Sequence, residues 1–303
     1  MKPFAYKMTP AYRHAQETPW GGDALRTLYG KAIPDALTGE ALEASTLPGL
    51  ESHTQDGAPL SEIAGGRLPL LLKLIDARER LSVQVHPDDA LAAQLENGKT
   101  GKEEAWLILH AKPGAKLVYG LLPGTDLAAL TGETIEAALR YVPVAAGDVV
   151  HIPAGMVHAI GEGIVLYEIQ QSSDVTYRFW DWGKLGADGK PRPLHWDKAC
   201  LAAKPALAGT PVRGVQTAVP GGVHTQCLRT PHFALDKFLC AGARPLPLSD
   251  CGAFRFITLL SGTGALRHGQ ETLPLRAGET AFVPEGVGSL FLQGTCEAAV
   301  ATP

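Results

Sequence analysis

The 303-residue chain has few cysteines and no large excess of either charge. Its cysteines are odd in number and have no CxxC spacing, which argues against a disulfide framework and against a thiolate metal site. They are Cys200, Cys227, Cys240, Cys251 and Cys296. The net charge is only −4, and neither sign forms a long run. This excludes the extended basic surface of a nucleic-acid-binding protein.

Long apolar runs are also missing. No stretch of about 18 or more apolar residues could span a membrane, and the N-terminal segment lacks the apolar core of a signal peptide. We therefore expect a cytoplasmic protein with a small-molecule partner and with neither a nucleic-acid nor a membrane partner. The sequence leaves open whether it is a monomer or a homodimer.

The apolar residues that are present make up 45% of the chain, which is enough for a sizeable core and predicts two domains. Segment 183–215 is rich in Gly, Pro and Lys, so we place the boundary there, with domains at 1–205 and 206–303. Helical pieces are predicted at about 88–96, after Pro87, and at about 126–139, where Asp126 and Thr134 lie near N-termini.

Short apolar runs between turn residues predict a mainly β fold. The predicted strands are Leu68–Ile75, Leu81–Val85, Trp106–Leu109, Val149–Ile152, Ile164–Ile169, His232–Leu239, Phe254–Leu260, Gly264–His268, Thr280–Val283 and Ser289–Leu292. Lys73 interrupts the first of them. Its side chain is expected either to carry a charge inward or to extend to solvent at the strand edge.

The sequence contains an internal repeat. Segment Ala146–Gly155 matches Ala277–Gly286, with Ala-Gly, an acid, an aliphatic before Pro, and Gly all aligned. Two copies of one β module are therefore predicted. The same register places Ser289 opposite His158, so we predict that the second copy is metal-free and structural.

Four polar residues could form a metal site. Gln84 and His86 are two apart on a strand and share a face, and burying them unpaired would cost about 1–3 kcal/mol each. His158 follows the turn Pro153–Gly155 directly, and Glu104 could add a carboxylate. A lone histidine is more often structural than a ligand, and we favour that interpretation for His151. The four residues together form a mixed N/O set that suits zinc and other divalent metals.

Several motifs resemble a known family. The pattern Gly-Asp/Glu, Pro-x-Gly-x-x-His is similar to the cupin superfamily. The combination of QVHP, a GKxE tetrapeptide, PAGxxHAIG and QxSDxTYR over roughly residues 66–182, with PWGG upstream, resembles the type I mannose-6-phosphate isomerases, especially their short bacterial form. The resemblance implies two cupin (jelly-roll) barrels, with a small helical insertion in the first.

The resemblance also implies a site. Gln84, His86, Glu104 and His158 match the family's ligands for one Zn²⁺ per chain. Glu104 is preferred to Glu103 because the family's ligand stands two residues after the lysine of the tetrapeptide. The remaining site residues implied are Arg178, Lys102, Glu168 and Asp174 as catalytic groups, and Lys73 and Ser82 as substrate-binding groups.

The implied reaction is the interconversion of mannose 6-phosphate and fructose 6-phosphate through an enediol or enediolate. A zinc ion would stabilise the negative charge as a Lewis acid, and Arg178 would stabilise the oxyanion or help open the ring. The sequence does not identify the general base. The phosphate could be held by Lys73, Lys102 and Ser82, since phosphate accepts charge-assisted hydrogen bonds.

Other interpretations stay open. The chain could isomerise another sugar or sugar phosphate, or it could be a non-catalytic sugar-binding bicupin, whereas the Gln84 and His86 pair fits the cupin oxygenases poorly. Arg178 could form a surface salt bridge with Asp174, and Glu168 could simply neutralise a buried Lys73. The tryptophans Trp180 and Trp182 are interpreted as packing residues.

Overall fold

A computed structural model describes residues 3–186, 188–242, 244–248 and 250–303, and most of the ordered elements are strands. The helices are α1 (Ala24–Tyr29), α2 (Leu60–Ala64), α3 (Asp89–Leu95) and α4 (Trp196–Ala202), with 3₁₀ helices at Leu127–Ala129 and Gly132–Ala138. No helix in these ranges is long and apolar enough to cross a membrane.

The strands fall into two groups along the chain. The first group is β1 (Tyr6–Thr9), β2 (Ala11–Arg13), β3 (Glu40–Ala44), β4 (His53–Thr54), β5 (Leu70–Ala77), β6 (Val83–Val85), β7 (Glu104–Ala111), β8 (Lys116–Leu121), β9 (Leu139–Pro143), β10 (Val149–Ile152), β11 (His158–Ala159), β12 (Ile164–Gln171) and β13 (Tyr177–Trp180). The second group is β14 (Val215–Val219), β15 (Gly222–Arg229), β16 (Ala234–Ala241), β17 (Leu246–Leu248), β18 (Arg255–His268), β19 (Glu271–Arg276), β20 (Thr280–Val283) and β21 (Leu290–Thr302).

Two sheets form the first half of the molecule. One has the order β10-β7-β12-β5-β3-β2, and the other has the order β13-β6-β11-β8-β9. They share a hydrophobic core in which Trp106 and Ile108 of the first sheet lie with Leu117, Tyr119 and Ile160 from the second sheet and its flank. The sheets therefore pack against each other, and polar residues between them can meet in one place.

A third, ten-stranded sheet contains the second group of strands and also β1 and β4. Strand β1 pairs with β20 through Tyr6 opposite Phe282 and Lys7 opposite Ala281. The mainly β architecture is as predicted, and in the described part of the chain the strands form three hydrogen-bonded sheets, none of them a closed barrel by itself. The domain boundary near residue 205 stays a prediction. The N-terminal strand β1 lies in the sheet that the C-terminal strands form.

The repeat predicted from the sequence appears as two equivalent strands. Strand β10 and strand β20 each follow a glycine with positive φ, Gly147 at 91° and Gly278 at 84°. Each also precedes a second such glycine, Gly155 at 94° and Gly286 at 82°. Residues with a Cβ rarely adopt this backbone, so the matching glycines mark the same two turns.

Three details differ from the sequence prediction. The segments Phe254–Leu260 and Gly264–His268 are one strand, β18, with a register irregularity between Leu259 and Ser261. Gly262, at φ 74°, pairs with Cys296 within this strand and forms no turn between the two segments. The second 3₁₀ helix starts at Gly132, two residues before Thr134, and Thr134 contributes to its capping box with Thr131. Helix α4 lies in segment 183–215, where the sequence predicts a domain boundary and no helix.

Helix α3 begins where the sequence predicts. The side chain of Asp88 accepts a hydrogen bond from the Leu91 N–H, which satisfies one of the free amides of the first turn. Asp126 caps the first 3₁₀ helix in the same way, by accepting from the Ala128 N–H. Local capping chemistry thus fixes the start of both elements.

Candidate metal centre and cavity

The four predicted metal ligands lie on neighbouring strands. In the second sheet Gln84 of β6 is the direct partner of His158 of β11, so their side chains point to the same face. His86 follows β6, and its carbonyl accepts a hydrogen bond of 2.9 Å from the Gly155 N–H, which ties the turn before His158 to this segment. Glu104 is the first residue of β7 in the facing sheet.

The donor atoms of these residues converge. His86 Nε2 lies 3.4 Å from Glu104 Oε2, and His158 Nε2 lies 3.3 Å from Glu104 Oε1. The ligand atoms of the three residues are all within 4.8 Å of one another, and all three side chains are buried. The Gln84 amide nitrogen is 3.3 Å from His158 Nε2, and half a turn of the amide would put its oxygen there.

Backbone carbonyls orient both imidazoles. The Nδ1 of His86 is 2.9 Å from the Val175 carbonyl, and the Nδ1 of His158 is 2.9 Å from the Met156 carbonyl. A carbonyl only accepts, so each Nδ1 carries the proton and each Nε2 presents a lone pair to Glu104. This is the arrangement in which an outer hydrogen bond fixes the tautomer of a metal-binding histidine.

The protonation states suit a cation. Burial, followed by the charge of Lys102, lowers the pKa of His86 to about 3, so the ring is neutral. Burial alone would raise the pKa of Glu104, but the charge of Lys102, the largest opposing cause, holds the pKa well below its ordinary value. Neutral imidazoles and an ionised carboxylate are the ligand forms that divalent metals require.

One carboxylate oxygen of the same cluster lacks a hydrogen-bond donor. Glu104 Oε1 is buried and has no hydrogen-bond donor, and the nearby Nε2 of His158 offers it only a lone pair. Lys102 Nζ contacts Glu104 Oε2 and lies 3.2 Å from His86 Nε2. A divalent cation between the lone pairs would satisfy both sides, so the residues present fit a metal.

The neighbouring carboxylate, Glu103, faces away from this cluster. Its Oε1 is 2.6 Å from His151 Nε2, and its Oε2 is 3.5 Å from His232 Nε2. His151 therefore pairs with an acid outside the cluster, as its structural interpretation predicts. Of the two adjacent glutamates, Glu104 is the one that lies among the histidines.

A cavity of about 460 Å³ opens beside the cluster. Every residue predicted from the sequence as catalytic or substrate-binding lines this cavity. These residues are Lys73, Ser82, Lys102, Glu168, Asp174 and Arg178, and Gln84 lines it as well. The structure thus brings the complete predicted set to one place, and their roles stay proposals.

Lys73 carries its charge inward. It is the cross-strand partner of Glu168, its Nζ lies 3.1 Å from Glu168 and 3.3 Å from Glu40, and it is buried. Burial alone would lower the pKa of Lys73, but the two carboxylates outweigh it and raise the pKa. Trp106 Nε1 donates a hydrogen bond of 2.9 Å to Glu168. Lys73 and Glu168 therefore neutralise each other in the wall of the cavity.

Arg178 and Asp174 do not form the surface salt bridge considered above. Asp174 Oδ1 pairs with Lys99 Nζ at 2.8 Å on the rim of the cavity. Arg178 is the strand partner of Gln84, and its Nε is buried without a hydrogen bond. Burial, then the charge of Arg192, lowers the pKa of Arg178.

Sequence reasoning missed several residues of the cavity. They are Arg13, Glu40, Arg192 and His195, which also line it. Arg13 and Glu40 face each other across β2 and β3, two strands far apart in sequence from the recognised motifs. Arg192 and His195 lie between β13 and α4, in the segment where the sequence predicts the domain boundary. No local pattern marks these residues, because Arg13 and Glu40 reach the cavity through sheet pairing, and the other two reach it through the tertiary packing of their segment.

Comparison with known proteins agrees with this site. The family described as phosphomannose isomerase type I, catalytic domain, matches residues 8–113, and the mannose-6-phosphate isomerase cupin domain matches residues 224–303. Mannose-6-phosphate isomerase ManA of Bacillus subtilis is 34% identical, over 94% of this chain and 95% of that protein. The chain belongs to the type I mannose-6-phosphate isomerase family.

Two further matches extend over almost the whole chain. Mannose-6-phosphate isomerase of Streptococcus mutans is 32% identical over 92% of each chain. The crystal structure of mannose 6-phosphate isomerase from Bacillus subtilis superposes with a TM-score of 0.90 at 30% identity, covering 99% of each chain. The predicted cupin fold and the predicted class of enzyme, an isomerase of this family, are thereby confirmed.

Proposed function

We propose that the chain interconverts mannose 6-phosphate and fructose 6-phosphate with one zinc ion, through an enediol or enediolate. The observation that carries this proposal is the buried cluster of His86, Glu104 and His158 beside a cavity lined by cationic and acidic side chains, in a chain of this family. Family membership supports the reaction, and the donor set supports a divalent metal.

The metal would be held by His86, Glu104 and His158, with Gln84 as a fourth ligand through its amide oxygen. When bound, it would act as a Lewis acid that stabilises negative charge on the substrate oxygens. The carbonyl partners of both imidazoles keep the Nε2 atoms directed at the metal position. The two imidazoles would therefore be preorganised for the metal.

The remaining residues supply acid, base and binding groups. We assign proton transfer to Glu168, Asp174 and Lys102, all of which line the cavity, and assistance of ring opening to Arg178. Glu168 is held by Lys73 and Trp106, which fixes its carboxylate in one orientation. Lys73 and Ser82 are proposed to contact the sugar.

Metal content and isomerase rate, measured together for wild type and for the His158→Ala variant, test this proposal. Wild type should contain about one zinc ion per chain and turn over mannose 6-phosphate. His158→Ala should lose both properties, because one of three close ligands is removed. Turnover by a metal-free His158→Ala protein would overturn the assignment.

The substrate is tested by a coupled assay with mannose 6-phosphate, glucose 6-phosphate and free mannose. We expect turnover with mannose 6-phosphate and not with free mannose. Turnover of free mannose alone would contradict the proposed substrate. Sugar binding without turnover of any of the three would contradict the proposed reaction and support a binding protein.

A further inference from the structure

The cavity has a strongly cationic end. Arg13 is the last residue of β2, Arg178 lies in β13, and Arg192 lies between β13 and α4. Strand β2 is the edge of the six-stranded sheet, and β13 is the edge of the five-stranded sheet. Three guanidinium groups from separate segments therefore meet where the edges of the two sheets enclose the cavity.

The two lysines of the cavity form ion pairs with buried carboxylates. Lys73 lies between Glu168 at 3.1 Å and Glu40 at 3.3 Å, and Lys102 contacts Glu104. The side chains of both lysines are only 6% exposed. A phosphate dianion placed at either lysine would also face the carboxylates that the lysine neutralises, so neither is a good primary phosphate ligand.

The arginines differ in how far they are neutralised. Arg192 is held by Asp181 through two contacts of 2.6 Å. Within the part of the chain that the structure describes, no carboxylate lies within 4.0 Å of the Arg178 guanidinium. Arg13 forms two long ion pairs among the described residues, with Glu40 at 3.6 Å and with Glu17 at 3.9 Å, and its buried Nε makes no hydrogen bond. Arg13 and Arg178 thus keep donors available for an anion.

The position of these donors fits the shape of the substrate. Arg178 pairs with Gln84, and Gln84 pairs with His158, so two strand spacings, about 10 Å, separate Arg178 from His158 along the sheet. In an extended hexose 6-phosphate the reacting C1–C2 end and the phosphate are opposite ends of the molecule. With C1–C2 at the metal position, the phosphate reaches the arginine end.

We infer that the phosphate of the substrate binds between Arg13 and Arg178, and that Arg13 is a specificity-determining residue of the reaction proposed above. The planar guanidinium of Arg13 forms charge-assisted hydrogen bonds with the phosphate oxygens. Lys73 and Lys102 do not contact the phosphate, and they hold the acids of the cavity wall. This inference rests on the proposed function for the identity of the substrate.

The Arg13→Met variant tests the inference, with Arg78→Met as its control. Arg78 is 52% exposed, pairs with Glu79, and does not line the cavity. For Arg13→Met we expect the KM for mannose 6-phosphate to rise about 10- to 100-fold, the effect of losing charged hydrogen bonds, with a smaller change in kcat. Arg78→Met should have the wild-type KM, and zinc content should be unchanged in both variants.

Calorimetry with inorganic phosphate gives a second readout that does not depend on turnover. Wild type and Arg78→Met should bind phosphate, and Arg13→Met should bind it about 10- to 100-fold more weakly. Arg13→Lys keeps the charge and the ion pair with Glu40 but lacks the planar guanidinium. Its phosphate affinity should therefore lie between those of wild type and Arg13→Met. It also tests the inference if Arg13→Met does not fold.

The outcomes separate this inference from the proposed function. If wild type does not isomerise mannose 6-phosphate, the proposed function is wrong, and phosphate calorimetry still tests the arginine site. If wild type is active and the Arg13 variants keep both the wild-type KM and the wild-type phosphate affinity, the phosphate does not bind at Arg13. A fall in kcat with unchanged KM and phosphate affinity would also overturn the inference.

Discussion

Glu103 and Glu104 are adjacent in the chain and have opposite environments. Glu104 starts strand β7 with its side chain between two buried imidazoles, whereas Glu103 points to His151 and His232. Side chains alternate between the two faces of an extended chain, so one residue of the pair must face the cavity between the sheets and the other must not. The proposed assignment of the metal-binding carboxylate to Glu104 thus depends on a shift of a single residue.

The matched variants Glu104→Ala and Glu103→Ala test this assignment. Glu104→Ala should lower zinc affinity by more than about 100-fold, because even residues that only orient a ligand contribute about 10- to 100-fold. Glu103→Ala should bind zinc within about 10-fold of wild type. Zinc titration with a competing chelator measures both. Loss of the metal in Glu103→Ala with retention in Glu104→Ala would reverse the assignment.

At the scale of elements, pairing across the six-stranded sheet builds a row of three buried charges and the partly exposed Arg13. Glu168 of β12, Lys73 of β5, Glu40 of β3 and Arg13 of β2 follow one another from strand to strand, with ion-pair distances of 3.1, 3.3 and 3.6 Å. Cross-strand neighbours of opposite charge stabilise a sheet, and removal of one member leaves its partner uncompensated. Stability is therefore expected to depend on the protonation of this row.

Glu40 gives this row a defined dependence on pH. Burial alone would raise the pKa of Glu40, but Lys73, Arg13 and Lys102 outweigh it and lower the pKa from 4.5. A carboxylate with a lower pKa in the folded state stabilises the fold above its ordinary pKa, and this contribution is lost as the pH falls. The free energy of unfolding of wild type should fall between about pH 5 and pH 3, with part of that fall due to Glu40.

Urea unfolding of Glu40→Gln at several pH values tests this expectation. The variant should be less stable than wild type at neutral pH and should lose less stability on acidification. Glu271→Gln, on an exposed position of β19, is the control and should follow wild type. An acid dependence of Glu40→Gln as steep as that of wild type would show that the row does not contribute.

At the scale of the whole molecule, the two halves of the chain share one hydrophobic core. Leu70 and Leu72 of β5 lie in the same cluster as Phe233, Phe256 and Phe282 from the second half. Strand β1 completes this union by pairing with β20. The half that contains the candidate site therefore depends on the C-terminal half to bury the apolar side chains on one face of its six-stranded sheet.

A fragment of residues 1–205 should not fold stably. Loss of the C-terminal half exposes several large apolar side chains, each of which contributes about 1.5–3 kcal/mol when buried, against a typical total stability of about 5–15 kcal/mol. We expect aggregation or a non-cooperative thermal transition, measured by circular dichroism and light scattering against the full chain. A monomeric fragment with a cooperative transition and bound zinc would contradict the shared-core argument.

The sequence by itself determined the mainly β class and the repeated module and indicated the candidate metal ligands, because strand periodicity, turn glycines and the QVHP, GKxE and PAGxxHAIG motifs are local. Cap residues such as Asp88 and Asp126 were readable for the same reason. The single long strand β18 was not predictable in this way, since a glycine such as Gly262 between two apolar runs is compatible with a turn and with a continuous strand until the partner strand is known.

Only the tertiary structure decided which residues meet. The pairing of β2 with β3 and of β13 with β6 places Arg13 and Arg178 at one end of the cavity, and the packing of two sheets places Glu104 against His86 and His158. Such contacts depend on strand order and register, which no local pattern encodes. Local motifs therefore indicated the candidate metal ligands, whereas the cationic end of the cavity came from pairings between distant segments.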